Sequence, residues 1–302
     1  MRHILRSQQF NRSEIEHLFK TTDTLKNAFK SSVGRVQFSQ RLLGKLMFTI
    51  FYEPSTRTRF SFSAAAVHLG MRVIGTENAQ EFSSAIKGET LEDSIEVLCL
   101  YLPDVIVLRH HEAGAAERAA LIAERHGVSI INAGDGKGQH PTQALLDLYT
   151  IHQELGRIDG ITALIGGDLA NGQTARSLAY LLGKYENMRI IFVSPPELKI
   201  APDIKKYLDE HKVSFEEMTE LEEAVREADV VYWTRIQRER LPNPLMYNEL
   251  TRVYRIDARI MSHLKSDAIL MHPLPRVNEI DRGVDSDPRA AYFRQAGYGM
   301  YV

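Results

Sequence analysis

A chain of 302 residues, 44% hydrophobic and 25% charged, is long for one domain and comfortable for two. Its 37 basic and 39 acidic residues leave a formal net charge of -2, which excludes a global field for nucleic acid or membrane; any anion site must be local. The single cysteine, Cys99, excludes an internal disulfide and a cysteine-cluster zinc site, and its setting, IEVLCLYL, reads as a buried helix thiol.

The amino-terminal stretch MRHILRSQQFNRSEIEHLF mixes charge into its apolar residues, so it does not read as a signal peptide. No apolar run approaches the length of a membrane helix, which sets the expectation of a soluble, cytoplasmic protein. Residues 13–29 have apolar side chains at helical spacing, with Ser13 as the expected N-cap. A strand follows at 45–52, then a helix at 55–70 closed by Gly70, a strand at 72–75 and a helix at 90–102. Strands at 104–110 and 128–134 flank a helix at 115–127, and a long helix occupies 140–156. A second series begins after Gly156, with strands at 161–167, 189–195, 213–218, 229–236 and 267–275 and helices at 173–185, 203–212 and 220–228. The core strands are continuous apolar runs, which suits parallel sheets covered on both faces. The expected fold is α/β, with two successive doubly wound parallel-sheet domains hinged near residues 140–156.

Ligands of open parallel sheets bind at the carboxyl ends of strands. Four unusual clusters fall at such ends: Ser55–Arg59 after the first strand, Arg109, GDGKGQHPTQ at 134–143, and HPLPR at 272–276. In PSTRTR, a helix N-terminus offers unpaired N–H groups, Ser55, Thr56 and Thr58 add hydroxyls, and a guanidinium adds a planar fork, together a phosphate cradle. Arg57 and Arg59 face different sides of that helix; Arg57 is the better candidate for the anion, with Arg59 bracing the turn. The alternative is an N-cap serine with two solvated arginines. Arg109 stands at a strand tip, where a surface arginine is the competing reading. His140 opens a helix with Pro141 in the favoured first position, so it is either a donor to a carbonyl oxygen or a capping residue, with Gln143 in the same turn. The phosphate-loop, dinucleotide and HExxH motifs are missing, and His110 and His111 lack the spacing of a metal site.

Taken together, FYEPSTRTRFSF, SSAIKGETLEDS, VLRHHEAG, NAGDGKGQHPTQALLDLYTI, TRIQRERL and HPLPRVNEI resemble the aspartate/ornithine carbamoyltransferase family, in the family's order over nearly the whole chain. TRIQRERL and HPLPR favour the aspartate branch, since the ornithine branch carries a cysteine where Pro273 stands. The resemblance implies carbamoyl transfer from carbamoyl phosphate to the amine of L-aspartate, an early step of pyrimidine synthesis, without metal or organic cofactor. It implies a carbamoyl-phosphate domain over 1–141, an aspartate domain over 142–296, a return segment over 297–302, and an active site in the cleft between the domains. By the same resemblance Ser55, Thr56, Arg57 and Thr58 hold phosphate. Arg109, His140 and Thr58 surround the carbonyl oxygen. Gln143, with the carbonyls of Leu274 and Pro275, meets the carbamoyl nitrogen. Arg235 and Gln237 bind aspartate. Ser83 and Lys87 reach a neighbouring subunit's site, which implies a homotrimer; a regulatory chain or a dihydroorotase is a further candidate partner. Two departures stand out. Gln173 replaces an arginine that in the family binds the substrate carboxylate and joins a bridge whose other members here would be Glu53 and Arg240. The family's final helix, beyond YGMYV, is expected to be missing. The first departure keeps two alternatives in view, a transferase for another amine and an impaired member serving a structural or regulatory role.

Overall fold

A computed structural model of the chain describes residues 3–82, 88–241 and 243–302. Two compact units emerge, one of residues 1–142 with 299–302, the other of residues 143–298. In the first, α1 (Arg12–Ala28) and α2 (Ser32–Phe38) precede β1 (Leu46–Phe51), α3 (Thr56–His68), β2 (Arg72–Glu77) and α4 (Ala79–Phe82). Then come α5 (Leu91–Leu100), β3 (Val105–His110), α6 (Ala115–Ala123) and β4 (Ser129–Asp135). Its four strands are all parallel in the order β2-β1-β3-β4. Alternation along β1 divides the core. Phe48 and Ile50 pack with Ile95, Cys99 and Ala119 on one face, while Met47 and Phe51 join Ala66 and Val107 on the other. Each buried Phe, Ile, Met or Val side chain among them contributes roughly 1.5–3 kcal/mol.

The second unit takes most of α7 (Pro141–Leu155), then β5 (Thr162–Gly166), α8 (Gln173–Leu182), β6 (Arg189–Val193), α9 (Pro202–Glu210) and β7 (Ser214–Met218). It continues with α10 (Leu221–Glu227), β8 (Val230–Trp233), α11 (Tyr247–Val253), α12 (Ala258–Met261), β9 (Ile269–Met271) and α13 (Tyr292–Tyr298). Five parallel strands run in the order β7-β6-β5-β8-β9. The expected α/β class and its two parallel sheets are therefore present.

Local details differ from the sequence reading. Ser13 is not the cap of α1. Asn11 is, accepting from the Glu14 amide at 2.9 Å while Glu14 Oε2 accepts from the Asn11 amide at 2.8 Å. This reciprocal box satisfies two orphan donors and starts the helix at Arg12, ahead of Ser13. The short helices α2, α4 and α11 to α13 carry too few turns for an apolar period to stand out. Cys99 is buried as expected, and that burial raises its thiol pKa. No helix among the described residues is long and apolar enough to cross a membrane.

Candidate active site

In the first sheet the chain moves from β1 outward to β2 and returns to β3 on the other side of β1. The carboxyl ends of β1 and β3 therefore form the switch point where open sheets leave a crevice. Ser55 lies between β1 and α3, and Thr56, Arg57 and Thr58 form the first turn of α3. Ser55 stands at the N-cap position without capping; its hydroxyl donates to Thr58 Oγ1 at 2.9 Å. The first-turn N–H groups of α3 thus keep their need for an acceptor. Arg57 is exposed, and desolvation still lowers its pKa. Arg59 is differently placed. Its Nη2 meets Glu77 Oε2 at 3.1 Å, and its guanidinium lies over the Phe60 ring, 5.3 Å from the centroid.

Arg109, near the end of β3, donates from Nη1 to the Ala133 carbonyl at 2.9 Å and meets Glu53 Oε2 at 3.5 Å. His140 is buried, with Nδ1 3.3 Å from Thr142 Oγ1. Burial, reinforced by the Arg109 charge, pushes the His140 pKa down to about 3, so its imidazole is neutral near pH 7. The turn leading to it hangs on Asp135, which accepts from the Gln139 amide at 2.6 Å and the Gly114 amide at 2.8 Å. Gly136 in that turn has φ +56°, and a Cβ there would fall 2.1 Å from the His111 carbonyl oxygen. Only glycine fits.

The second sheet repeats the device. From β5 the chain runs out to β6 and β7, then returns to β8 on the opposite side of β5. Gly167, just past β5, has φ +100° and would bring a Cβ within 2.2 Å of the Thr234 carbonyl oxygen, so the loops after β5 and β8 touch through backbone. Asp168, fully buried, binds them together. It accepts from the Asn171 amide at 3.0 Å and from the Gln237 amide at 3.2 Å, while its own amide donates to Thr234 Oγ1 at 3.1 Å. Burial raises the Asp168 pKa, and these bonds oppose the rise. Arg235 and Gln237 lie in the loop so anchored, and Arg240 donates to the Asn171 carbonyl at 3.3 Å. Gln173 opens α8, with its Oε1 buried and lacking a hydrogen-bond partner among the described residues.

The last cluster follows β9. Leu274 has φ +49°, and a cis bond joins it to Pro275. The Leu274 amide donates to His272 Nδ1 at 2.8 Å, so the ring proton sits on Nε2, which is 2.9 Å from Glu279 Oε1. Burial alone would raise Glu279; the His272 bond and the Val277 amide hold its pKa below the usual value. Gln143 is placed on α7, where its Nε2 donates to Asp147 Oδ1 at 2.8 Å. Two expected site residues, Ser83 and Lys87, lie outside the described residues.

Two family models cover nearly the whole chain. Residues 2–153 match the aspartate/ornithine carbamoyltransferase carbamoyl-P binding domain, and residues 159–302 match the Asp/Orn binding domain of the same family. The chain belongs to the aspartate/ornithine carbamoyltransferase family. Aspartate carbamoyltransferase 3, chloroplastic, of Pisum sativum is 52% identical over 99% of this chain and 75% of its own length. The catalytic subunit of M. jannaschii aspartate transcarbamoylase superposes with a TM-score of 0.88 at 42% identity, covering 100% of this chain and 95% of that one. The Trypanosoma cruzi aspartate transcarbamoylase in complex with N-(phosphonacetyl)-L-aspartic acid gives a TM-score of 0.91 at 39% identity, covering 99% and 92%.

These relatives overturn one expectation. The pea protein and four further plant carbamoyltransferases, 50–51% identical to this chain, are named chloroplastic, which contradicts the cytoplasmic assignment. An amino terminus that does not read as a signal peptide and the lack of a membrane-length apolar run do not decide the compartment that holds the chain.

Several buried residues that hold these loops and helices in place escaped the sequence reading. Asp135, Asp168 and Glu279 are buried acids holding backbone amides, and Asp147 and Gln295 are buried polar residues holding each other. The available signal was an acid inside an apolar run, as in ALLDLYTI, or directly after a strand's glycines, as in LIGGD.

Proposed function

We propose that the chain carries out carbamoyl transfer from carbamoyl phosphate to L-aspartate with the residues named above, as an aspartate carbamoyltransferase of pyrimidine synthesis. The aspartate nitrogen attacks the carbonyl carbon, the bond from that carbon to the phosphate oxygen breaks, and the departing phosphate takes the proton that the amine loses. The products are N-carbamoyl-L-aspartate and phosphate. Negative charge grows first on the carbonyl oxygen and then on phosphate, so donors and cations fixed in advance lower the barrier most. Ser55, Thr56, Arg57 and Thr58 at the start of α3 serve the phosphate. Arg109, His140 and Thr58 serve the carbonyl oxygen, and Gln143 with the Leu274 and Pro275 carbonyls serves the carbamoyl nitrogen. Arg235 and Gln237 serve aspartate, with Gln173 in the place of the family's arginine.

The observation that supports this reading best is the buried His140 beside Arg109. A neutral imidazole next to a fixed cation donates a hydrogen bond without bringing a second charge that would repel the guanidinium. Ser83 and Lys87 are assigned, through the family resemblance, to a neighbouring subunit's site in a homotrimer. Mixing Lys87→Ala chains with Arg57→Ala chains, each inactive alone, restores activity if sites are shared. Subunit exchange without recovery would contradict sharing. The activity itself is tested by following carbamoyl-phosphate-dependent product formation over a panel of amines. Aspartate should be the acceptor, and transfer only to another amine would overturn the assignment.

A further inference from the structure

Asp147 is fully buried in the middle of α7, and its two oxygens differ. Oδ1 accepts from Gln143 Nε2 at 2.8 Å and from Gln295 Nε2 at 2.6 Å, whereas Oδ2 is buried with no hydrogen-bond partner among the described residues. The Tyr232 hydroxyl adjoins the carboxyl without reaching a well-formed bond. Oδ1 already receives two amide donors, so a proton on this carboxyl would sit on Oδ2. Burial pushes its pKa up to about 7, against the bonds from the surrounding side chains, and the protonated form is accessible near neutrality.

Gln295 carries the connection onward. Its Oε1 accepts from the His272 amide at 2.9 Å, directly after β9, and the His272 ring in turn accepts from the Leu274 amide and pairs with Glu279. One carboxyl oxygen therefore ties α7 to the end of β9. Its bond to Gln143 also fixes which way that carboxamide faces, with nitrogen toward Asp147 and oxygen turned away from it.

We propose that Asp147 is a positioning residue that sets the site's preference for an acyl phosphate bearing an NH₂ group, by orienting the Gln143 carboxamide and, through Gln295 and His272, the Leu274–Pro275 carbonyls. This inference rests on the reading that Gln143, Leu274 and Pro275 meet the carbamoyl nitrogen. An NH₂ group offers hydrogens to acceptor oxygens, whereas the methyl of acetyl phosphate offers none. A site of preset acceptors favours the NH₂ group because the methyl of acetyl phosphate makes none of those bonds.

The test compares dissociation constants of carbamoyl phosphate and acetyl phosphate for the intact protein and four variants. Gln143→Ala should reduce the preference for carbamoyl phosphate. Asp147→Leu, which removes the acceptor while keeping the branched shape, should reduce it about tenfold, through weaker carbamoyl phosphate binding with acetyl phosphate little changed. Asp147→Asn keeps an acceptor oxygen in place and should restore the ratio to within about threefold of the original. Gln295→Met severs only the arm toward His272 and should give a partial loss, and it decides the matter if Asp147→Leu fails to fold. An unchanged ratio in Asp147→Leu and Gln295→Met beside an altered Gln143→Ala would overturn the inference and leave the site reading standing. An unchanged ratio in Gln143→Ala would overturn both. Equal weakening of the two ligands, or Asn behaving like Leu, would reduce Asp147 to a merely structural part.

Discussion

The two sheets use the same switch-point topology, each with a buried carboxyl that pins loop backbone, Asp135 in the first and Asp168 in the second, and they differ in the groups set around it. At the ends of β1, β3 and β4 the first unit collects hydroxyls, a helix start, Arg57, Arg109 and a neutral His140. At the ends of β5 and β8 the second unit buries a carboxyl, Asp168, and uses it to pin the backbone of two loops. In the proposed assignment the phosphate groups of the first unit lie in one short stretch behind a strand, whereas Arg235 and Gln237 of the second stand on a loop that Asp168 holds from behind.

The sharpest way to break this contrast is at Arg57. Arg57→Ala should lower kcat by about a hundredfold or more, the usual effect of removing one preorganised donor, while thermal unfolding stays within a few degrees of wild type. Wild-type turnover would remove the phosphate cradle from the first unit. Asp168→Ala should behave differently. It leaves the Asn171 and Gln237 amides unpaired and should cost about 3 kcal/mol in chemical denaturation. It should also raise the KM for aspartate. A variant that is stable and normal for aspartate would show that the anchor is not needed.

The pH dependence of stability should differ between the units as well. His140 and His110 have folded pKa values depressed to about 3 and about 4 from an ordinary 6.5. The stability tied to their uncharged state is present above pH 6.5 and is lost as pH falls toward those values. Asp147, raised from 3.8 to about 7, has the reverse sign, since its contribution is present below pH 3.8 and is lost as pH rises toward 7. Relative to Asp147→Asn, the wild-type protein should therefore lose stability between pH 4 and 7, by at most about 1.4 kcal/mol per pH unit. Denaturation curves at three pH values check the slope, and a rising difference would contradict it. The smallest effect belongs to Gln173. Gln173→Arg should lower the KM for aspartate several-fold, on the order of the doubling in bond strength a charged donor brings, with carbamoyl phosphate binding unchanged. Saturation curves in both substrates separate these effects.

The same contrast explains what could be read from the residues alone. The apolar strands identified both parallel sheets, because a run such as VIVL has no polar face to turn toward water. The proposed phosphate groups were legible because they are contiguous, Ser55 to Thr58, directly behind a strand. The anchors were not. Asp168 draws its partners from Asn171, Thr234 and Gln237, and Asp147 draws one from Gln295, 148 residues away. Such pairs are created by folding, and no local period announces them. The cap of α1 was misplaced for a smaller reason, since both Asn11 and Ser13 are good caps and the choice rested on Glu14 reaching back to Asn11.

The division of labour is tested most directly by calorimetric titration of carbamoyl phosphate, without aspartate, into wild type, Arg57→Ala and Asp168→Ala. Wild type should bind, Arg57→Ala should bind at least about tenfold more weakly for want of a charge-assisted fork, and Asp168→Ala should stay within about twofold of wild type. Equal weakening in the two variants, or wild-type binding by Arg57→Ala, would contradict the assignment of phosphate to the first unit.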